Sequence, residues 1–208
     1  MFENAIAFLD WLGVIVFAMT GALVASRRQM DAVGFVLLGT VTGIGGGTLR
    51  DLLLDRHPLV WIEQPLYLFV CVAVSLLVFF TAHLVQSRLR LLLWLDAVGL
   101  ALYATIGAER ALEAGTAPLV AVVMGMITAT FGGIIRDILG GERSIIFSQE
   151  IYVTAALAAA LAFVALDRLG MPREASISLA ILTGFGLRAG ALRHGWSLPR
   201  YRPRPPRS

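Results

Sequence analysis

Gly39-Thr-Val-Thr-Gly-Ile-Gly-Gly-Gly-Thr-Leu-Arg-Asp51 and Gly125-Met-Ile-Thr-Ala-Thr-Phe-Gly-Gly-Ile-Ile-Arg-Asp137 are two versions of one segment, set 86 positions apart. Both carry a Gly-Gly-x-x-Arg-Asp ending inside long apolar runs. The same spacing, without a gap, pairs Asp10 with Asp96, Gly13 with Gly99 and Gly21 with Gly107. One half of the chain is therefore a copy of the other. The copied features include glycines that weaken a helix and charges that lipid does not favour. Neither has a use in a simple anchor, so the duplication points to a pathway across a membrane.

Composition agrees. The chain has 208 residues, 58% hydrophobic and only 15% charged, with a mean hydropathy of +0.80. A soluble domain is usually about one quarter charged. Several apolar runs reach the roughly 20 residues that a spanning helix needs. Seven helices are expected, near residues 5–25, 32–54, 65–85, 91–112, 117–139, 151–166 and 176–191. The fold class is an all-α polytopic membrane bundle, one transmembrane domain over residues 1–196. Pro65, Pro118 and Pro172 fall at or just before helix starts, where a missing N–H does little harm. Trp11, Trp61, Trp94 and Trp196 lie near predicted ends, as interfacial anchors do. The start, Met1 to Asn4, lacks a positive charge before its apolar run, so that run reads as a span and not a cleaved leader.

The repeat has a geometric consequence. Repeat one covers about residues 5–86 and repeat two about 91–168, three helices each. An odd number of crossings inverts the second copy relative to the first, a design found in transport proteins. The helix near 176–191 stands outside the duplication. With the amino terminus outside and the carboxy terminus in the cytoplasm, twelve of the seventeen arginines fall on the cytoplasmic side. There is no lysine. Residues 197–208 are rich in Pro and Arg and read as a disordered basic tail that attracts anionic headgroups. Nucleic-acid binding does not fit charge confined to helix ends and a tail.

The chemistry concentrates in the second and fifth helices. Glycine costs about 1 kcal/mol of helix propensity relative to alanine. Gly45-Gly46-Gly47 and Gly132-Gly133 are thus expected to kink or unwind a turn and free carbonyl oxygens. With the hydroxyls of Thr42, Thr48, Thr128 and Thr130, these supply hard oxygen ligands for a cation. The competing reading is packing, because Gly39, Gly43 and Gly47 form a small-residue ridge that brings helices together. Arg50-Asp51 and Arg136-Asp137 close their helices and are gate candidates, one pair at each mouth. Snorkelling at a helix end is the plainer alternative. Sequence neighbours do not share a helix face, so each member is expected to bond elsewhere in the bundle. Asp10 and Asp96, read as lying in first turns, suit the helix dipole. Attraction of cations to a mouth is the sharper reading of these two.

Other chemistries lack residues. Cys71 is alone, which removes an intrachain disulfide and a cysteine metal site. His57, His83 and His194 have no partner at metal-ligand spacing. No nucleophile–base set or phosphate-binding loop is present, so neither an enzyme nor a cofactor is expected.

The paired Gly-Gly-x-x-Arg-Asp helices, the two three-helix repeats and the extra helix resemble a prokaryotic member of the trimeric intracellular cation (TRIC) channel family. The resemblance spans about residues 10–191. It implies a homotrimer in the prokaryotic plasma membrane, one hourglass pore per subunit, and potassium as the permeant ion. It implies that the kinked second and fifth helices line the path. The second copy departs from the triple glycine, since Phe131 stands where Gly45 does, and a Phe beside the bend narrows or gates a path. The animal members' lysine-bearing phosphoinositide motif has no counterpart here. The same domain in bacteria is also linked with glycine transport, so a small amino-acid transporter of the inverted-repeat type is the alternative. A packing scaffold is a third reading.

Overall fold

The computed structural model describes residues 2–142 and 151–198. The tail beyond residue 198 and Arg143 lie outside the described residues. The expected helices all have counterparts. They are α1 (Phe2–Arg27), α2 (Ala32–Leu53), α4 (Leu66–Thr81), α5 (Arg88–Glu113), α6 (Pro118–Leu139), α7 (Val153–Arg168) and α8 (Arg173–His194). A short helix, α3 (Val60–Glu63), fills what the sequence reads as a link. A 3-10 turn, Ala82–Leu84, finishes α4. Among the described residues, six helices are long and apolar enough to cross a membrane; α7, with 16 described residues, is shorter.

Local signals set the helix ends. The Asp31 side chain accepts a hydrogen bond from the Gly34 amide at 2.8 Å and caps α2. Ser87 caps α5 through the Arg90 amide. Pro118 opens α6, while Pro65 and Pro172 immediately precede α4 and α8. Gly195 ends α8 in the left-handed region, φ 67°, where a side chain would be strained.

α5 is the central helix. Its Ala97, Ala101, Ala104, Ala108 and Ala111 are fully buried, and these small side chains let neighbouring backbones approach closely. α1 packs on α2, α4 and α5, as α5 packs on α6, α7 and α1. The contacts across the two halves are reciprocal. Gly13 lies against the Tyr103 ring, and Gly99 lies against the Phe17 ring. Shifting each member by 86 positions exchanges the two contacts. The Phe17 and Tyr103 rings themselves meet at 5.2 Å. Exchange of this kind is what a two-fold relation between halves produces.

α8 adds to one half only, packing on α7 and α5. Its Arg173 binds Glu109 at 2.6 Å and also pairs with Glu113, both on α5. The Glu109 side chain is 2% exposed, so this contact satisfies one oxygen of a nearly dry carboxylate. Arg173→Ala is expected to lower the melting temperature of the purified protein, at a cost of about 2 kcal/mol. An unchanged melting temperature would mean that α8 docks by apolar packing alone.

Candidate functional site

α2 and α6 cross at their glycines. A Cβ on Gly46 would collide with the Thr128 carbonyl oxygen, and one on Gly132 would sit 2.6 Å from the Thr42 carbonyl oxygen. These two contacts are again exchanged by the 86-position shift. Each glycine thus receives the other helix's backbone. Helical hydrogen bonding runs unbroken through Gly45, Gly46 and Gly47 and through Gly132 and Gly133, so the unwound turn expected from the glycines is not formed. The reason is local. The space vacated by each missing side chain is filled by a facing carbonyl, and packing offsets the weak propensity. Gly45 and Gly47 have ordinary or no contacts at their Cβ positions; Ile135 Cδ1 would lie 3.7 Å from the first and Arg50 Nη2 3.7 Å from the second.

The threonine hydroxyls are engaged. Thr42 donates to Leu38, Thr48 to Ile44, Thr128 to Met124 and Thr130 to Met126, each to the carbonyl one turn back. Their oxygens keep lone pairs, and Thr48 uses one to accept the Trp61 indole N–H at 3.0 Å. Phe131 is half-buried on α6, next to the crossing glycine.

Both charge pairs lie inside the protein. Arg50 and Asp51 are each 3% exposed, and Arg136 is 0% exposed, which rules out snorkelling arginines on the surface of the subunit. Arg136 bonds elsewhere in the bundle, to Asp96 and Thr20, as expected, but both arginines also bond their own sequence neighbour. Arg50 Nε donates to Asp51 at 2.9 Å, and Arg136 Nε donates to Asp137 at 3.0 Å. An arginine chain is long enough to fold back along its own helix, and in a dry interior the nearest carboxylate satisfies it best.

The two ends then differ. Around Arg136 the cluster is closed. Its Nη1 donates to Asp96 at 2.6 Å and to the Thr20 hydroxyl at 3.1 Å, and the Arg136 and Asp96 side chains are both fully buried. Asp96 is the ninth residue of α5, because the helix begins at Arg88 and not near residue 91. It is therefore an ion-pair partner deep in the bundle, and the helix-dipole reading does not hold for it. Asp10 is likewise the ninth residue of α1.

Around Arg50 the cluster is open. Half-buried Asp10 accepts the Tyr67 hydroxyl at 2.7 Å, and the Tyr67 ring stacks on Trp11 at 3.8 Å. A cavity of about 240 Å³ reaches Asp10, Arg50, Arg56, Glu63, Tyr67 and Arg110. A narrow space of about 20 Å³ shares Asp10, Arg50, Val60 and Tyr67 with it and lies against Gly47, Thr48, Asp51, Trp61 and Tyr103. That space holds on the order of one water. The space therefore narrows from a mixed-charge vestibule toward Gly47 and Thr48 on α2. Trp11 and Trp61, expected only as interfacial anchors, build its wall. His57, His83 and His194 are exposed, and no group of three metal-ligating side chains occurs among the described residues.

Sequence reasoning located the arginines, carboxylates and glycines but not Thr20, Tyr67, Tyr103 or Tyr152. The tyrosines that begin the third helices, Tyr67 and Tyr152, are 85 positions apart. A gap-free repeat of 86 passes over them.

A family model described as Glycine transporter matches the chain twice, at residues 7–83 and 93–168. A TRIC trimeric intracellular cation channel orthologue from Rhodobacter sphaeroides is 55% identical, with a TM-score of 0.91 over 93% of this chain and 100% of that one. The chain belongs to the prokaryotic TRIC family. A second solved prokaryotic TRIC channel is 30% identical, with a TM-score of 0.88 over 95% of this chain and 100% of its own. The UPF0126 inner membrane protein YadS of Escherichia coli (strain K12) is 39% identical over 93% of this chain and 95% of its own. With six spanning-length apolar helices, this TRIC-family chain is a multi-pass prokaryotic membrane protein.

Proposed function

We propose that this TRIC-family chain is a potassium-conducting cation channel of the prokaryotic inner membrane. In this reading it spans the membrane seven times, as two inverted three-helix repeats plus α8. It assembles as a homotrimer with one pore per subunit, lined by α2 and α6. The observation that carries the reading is the 55% identity to a cation channel over 93% of the chain. The reciprocal glycine contacts support the inversion, and the cavity that reaches Gly47 and Thr48 on α2 supports the α2 side of the path. The amino terminus lies outside, so the Arg50 cavity faces out and the Arg136 cluster faces the cytoplasm. The arginine-rich tail meets anionic headgroups, and no cofactor or nucleic acid takes part.

The Arg50 end offers a hydrated cation a graded set of oxygens. Asp10 supplies negative charge in the vestibule, and Thr48 supplies a hydroxyl in the narrow space. A carboxylate at such a mouth raises the local cation concentration, an effect that salt screens. Asp10→Asn is therefore expected to lower conductance about twofold at low salt and much less at high salt. Equal conductance at low salt would show that the carboxylate does not face the ion path.

The family description favours a second reading. The cavity holds both a carboxylate, Asp10, and a guanidinium, Arg50, which are the partners an amino-acid zwitterion needs. Proteoliposomes separate the two. Rapid potassium efflux, not saturating with concentration, is the expected result. Saturable glycine uptake without such efflux would replace the channel with a transporter.

A further inference from the structure

The two repeats carry the same arginine and the same carboxylates, and they use them differently. At one end, Arg136 Nη1 donates to Asp96 at 2.6 Å. At the other, the equivalent carboxylate, Asp10, accepts the Tyr67 hydroxyl at 2.7 Å. Arg50 Nη1 is buried and has no hydrogen-bond partner among the described residues. Arg50 keeps Asp51 as Arg136 keeps Asp137, so the two guanidiniums differ by one carboxylate. The second repeat thus shows what a guanidinium at this position takes: a carboxylate beyond that of its sequence neighbour.

Open space borders this site. Arg50 and Asp10 both line the cavity of about 240 Å³ and the narrow space beside it. Arg56 and Arg110 line the same cavity and reinforce its attraction for an anionic group, with Glu63 as the opposing carboxylate. Planar guanidiniums suit carboxylates better than they suit spherical ions. Asp10 sets the other half of the ligand. It is half-buried, and the Tyr67 hydroxyl occupies its Oδ2. An ionised carboxylate has further acceptor capacity, which a cationic donor uses best. A guanidinium for a carboxylate and a carboxylate for an ammonium, on the walls of one small cavity, match a molecule that bears both charges. The volume corresponds to that of several waters, enough for a compact solute.

We propose that this vestibule binds a small α-amino acid zwitterion, its carboxylate on Arg50 and its ammonium on Asp10. The amino acid is a ligand that occludes the path, not a cargo. Its ammonium takes the carboxylate that a cation meets at the mouth, and its body stands before the narrow space at Thr48. Occlusion rests on the reading of this cavity as the mouth of a potassium path; the binding site does not.

Thermal unfolding of the full-length protein in detergent tests the site. So small a ligand binds no tighter than roughly micromolar, so the titration runs into the millimolar range. Glycine is expected to raise the melting temperature saturably. Acetate and glycinamide, each with one of the two charges, should shift it much less. Excluded solutes also stabilise proteins, but without a specific site. Asp10→Asn separates the two effects, since it should weaken glycine binding about tenfold. No saturable shift, an equal shift with acetate, or an unchanged affinity in Asp10→Asn would overturn the site.

Potassium efflux from proteoliposomes tests the occlusion. Glycine on both faces, at about ten times its measured Kd, should slow efflux about tenfold, because few sites remain free. Saturable binding with undiminished efflux would overturn the occlusion. Saturable binding to a protein that gives no efflux even without glycine would keep the site and reject only the channel reading.

Discussion

Asp96→Ala is expected to destabilise the protein by about 3 kcal/mol, the larger of the carboxylate effects. The reason is the environment of its partner. Arg136 donates to Asp96 at 2.6 Å, and both side chains are fully buried. Removing the carboxylate leaves a guanidinium in a dry interior with Asp137 and Thr20 as its remaining hydrogen-bond partners among the described residues. The equivalent change at the other end, Asp10→Ala, should cost only about 1 kcal/mol, since it removes one hydrogen bond beside a cavity. Thermal unfolding of the two variants in detergent checks the contrast. Equal losses would mean that the two ends are equally closed in solution.

The second large effect belongs to Gly46. A Cβ there meets the Thr128 carbonyl oxygen on the facing helix, and backbone cannot swing aside as a side chain does. Gly46→Ala should separate α2 from α6 at a cost of about 1–3 kcal/mol and strongly reduce conduction. Gly47→Ala has only Arg50 Nη2 at 3.7 Å to meet, so it should be neutral or gain up to about 1 kcal/mol of helix propensity. The prediction separates two roles that the glycine triplet confuses. If helix bending were the function, both substitutions would reduce conduction alike. If close crossing is the function, only Gly46→Ala does. Thermal stability and current measured on the same two preparations decide between them.

Much of the fold was legible because membranes restrict the choices. Long apolar runs, prolines at helix starts and the 86-residue repeat place the helices to within a few residues. The short helix at Val60–Glu63 was not legible. It has four residues and no buried one among them, so it leaves no periodic signal. The site was half legible. Duplicated glycines and charges stand out against an apolar background, whereas tyrosine and tryptophan look like ordinary membrane residues until their partners are seen. Trp61 reads as an anchor, yet it donates to Thr48 in the narrow part of the cavity.

Two misreadings share a cause. Of the kink or unwound turn expected at the glycines, the unwound turn does not form; each Arg and Asp is expected to bond elsewhere, yet both arginines also bond their neighbour. Both expectations treat a helix alone. In the bundle, the Thr128 and Thr42 carbonyls fill the space at Gly46 and Gly132, and burial draws each arginine to its sequence neighbour. Asp96 was misplaced for a related reason. Ser87 caps α5 one residue before Arg88, so the helix starts earlier than its apolar run and carries Asp96 into the core.

The central claim is conduction of cations along α2 and α6, and single-channel recording in planar bilayers tests it most directly. Purified full-length protein should give unitary potassium currents that Gly46→Ala greatly diminishes and Gly47→Ala leaves intact. Absence of unitary currents from the wild-type protein, with saturable glycine uptake by the same preparation, would contradict it.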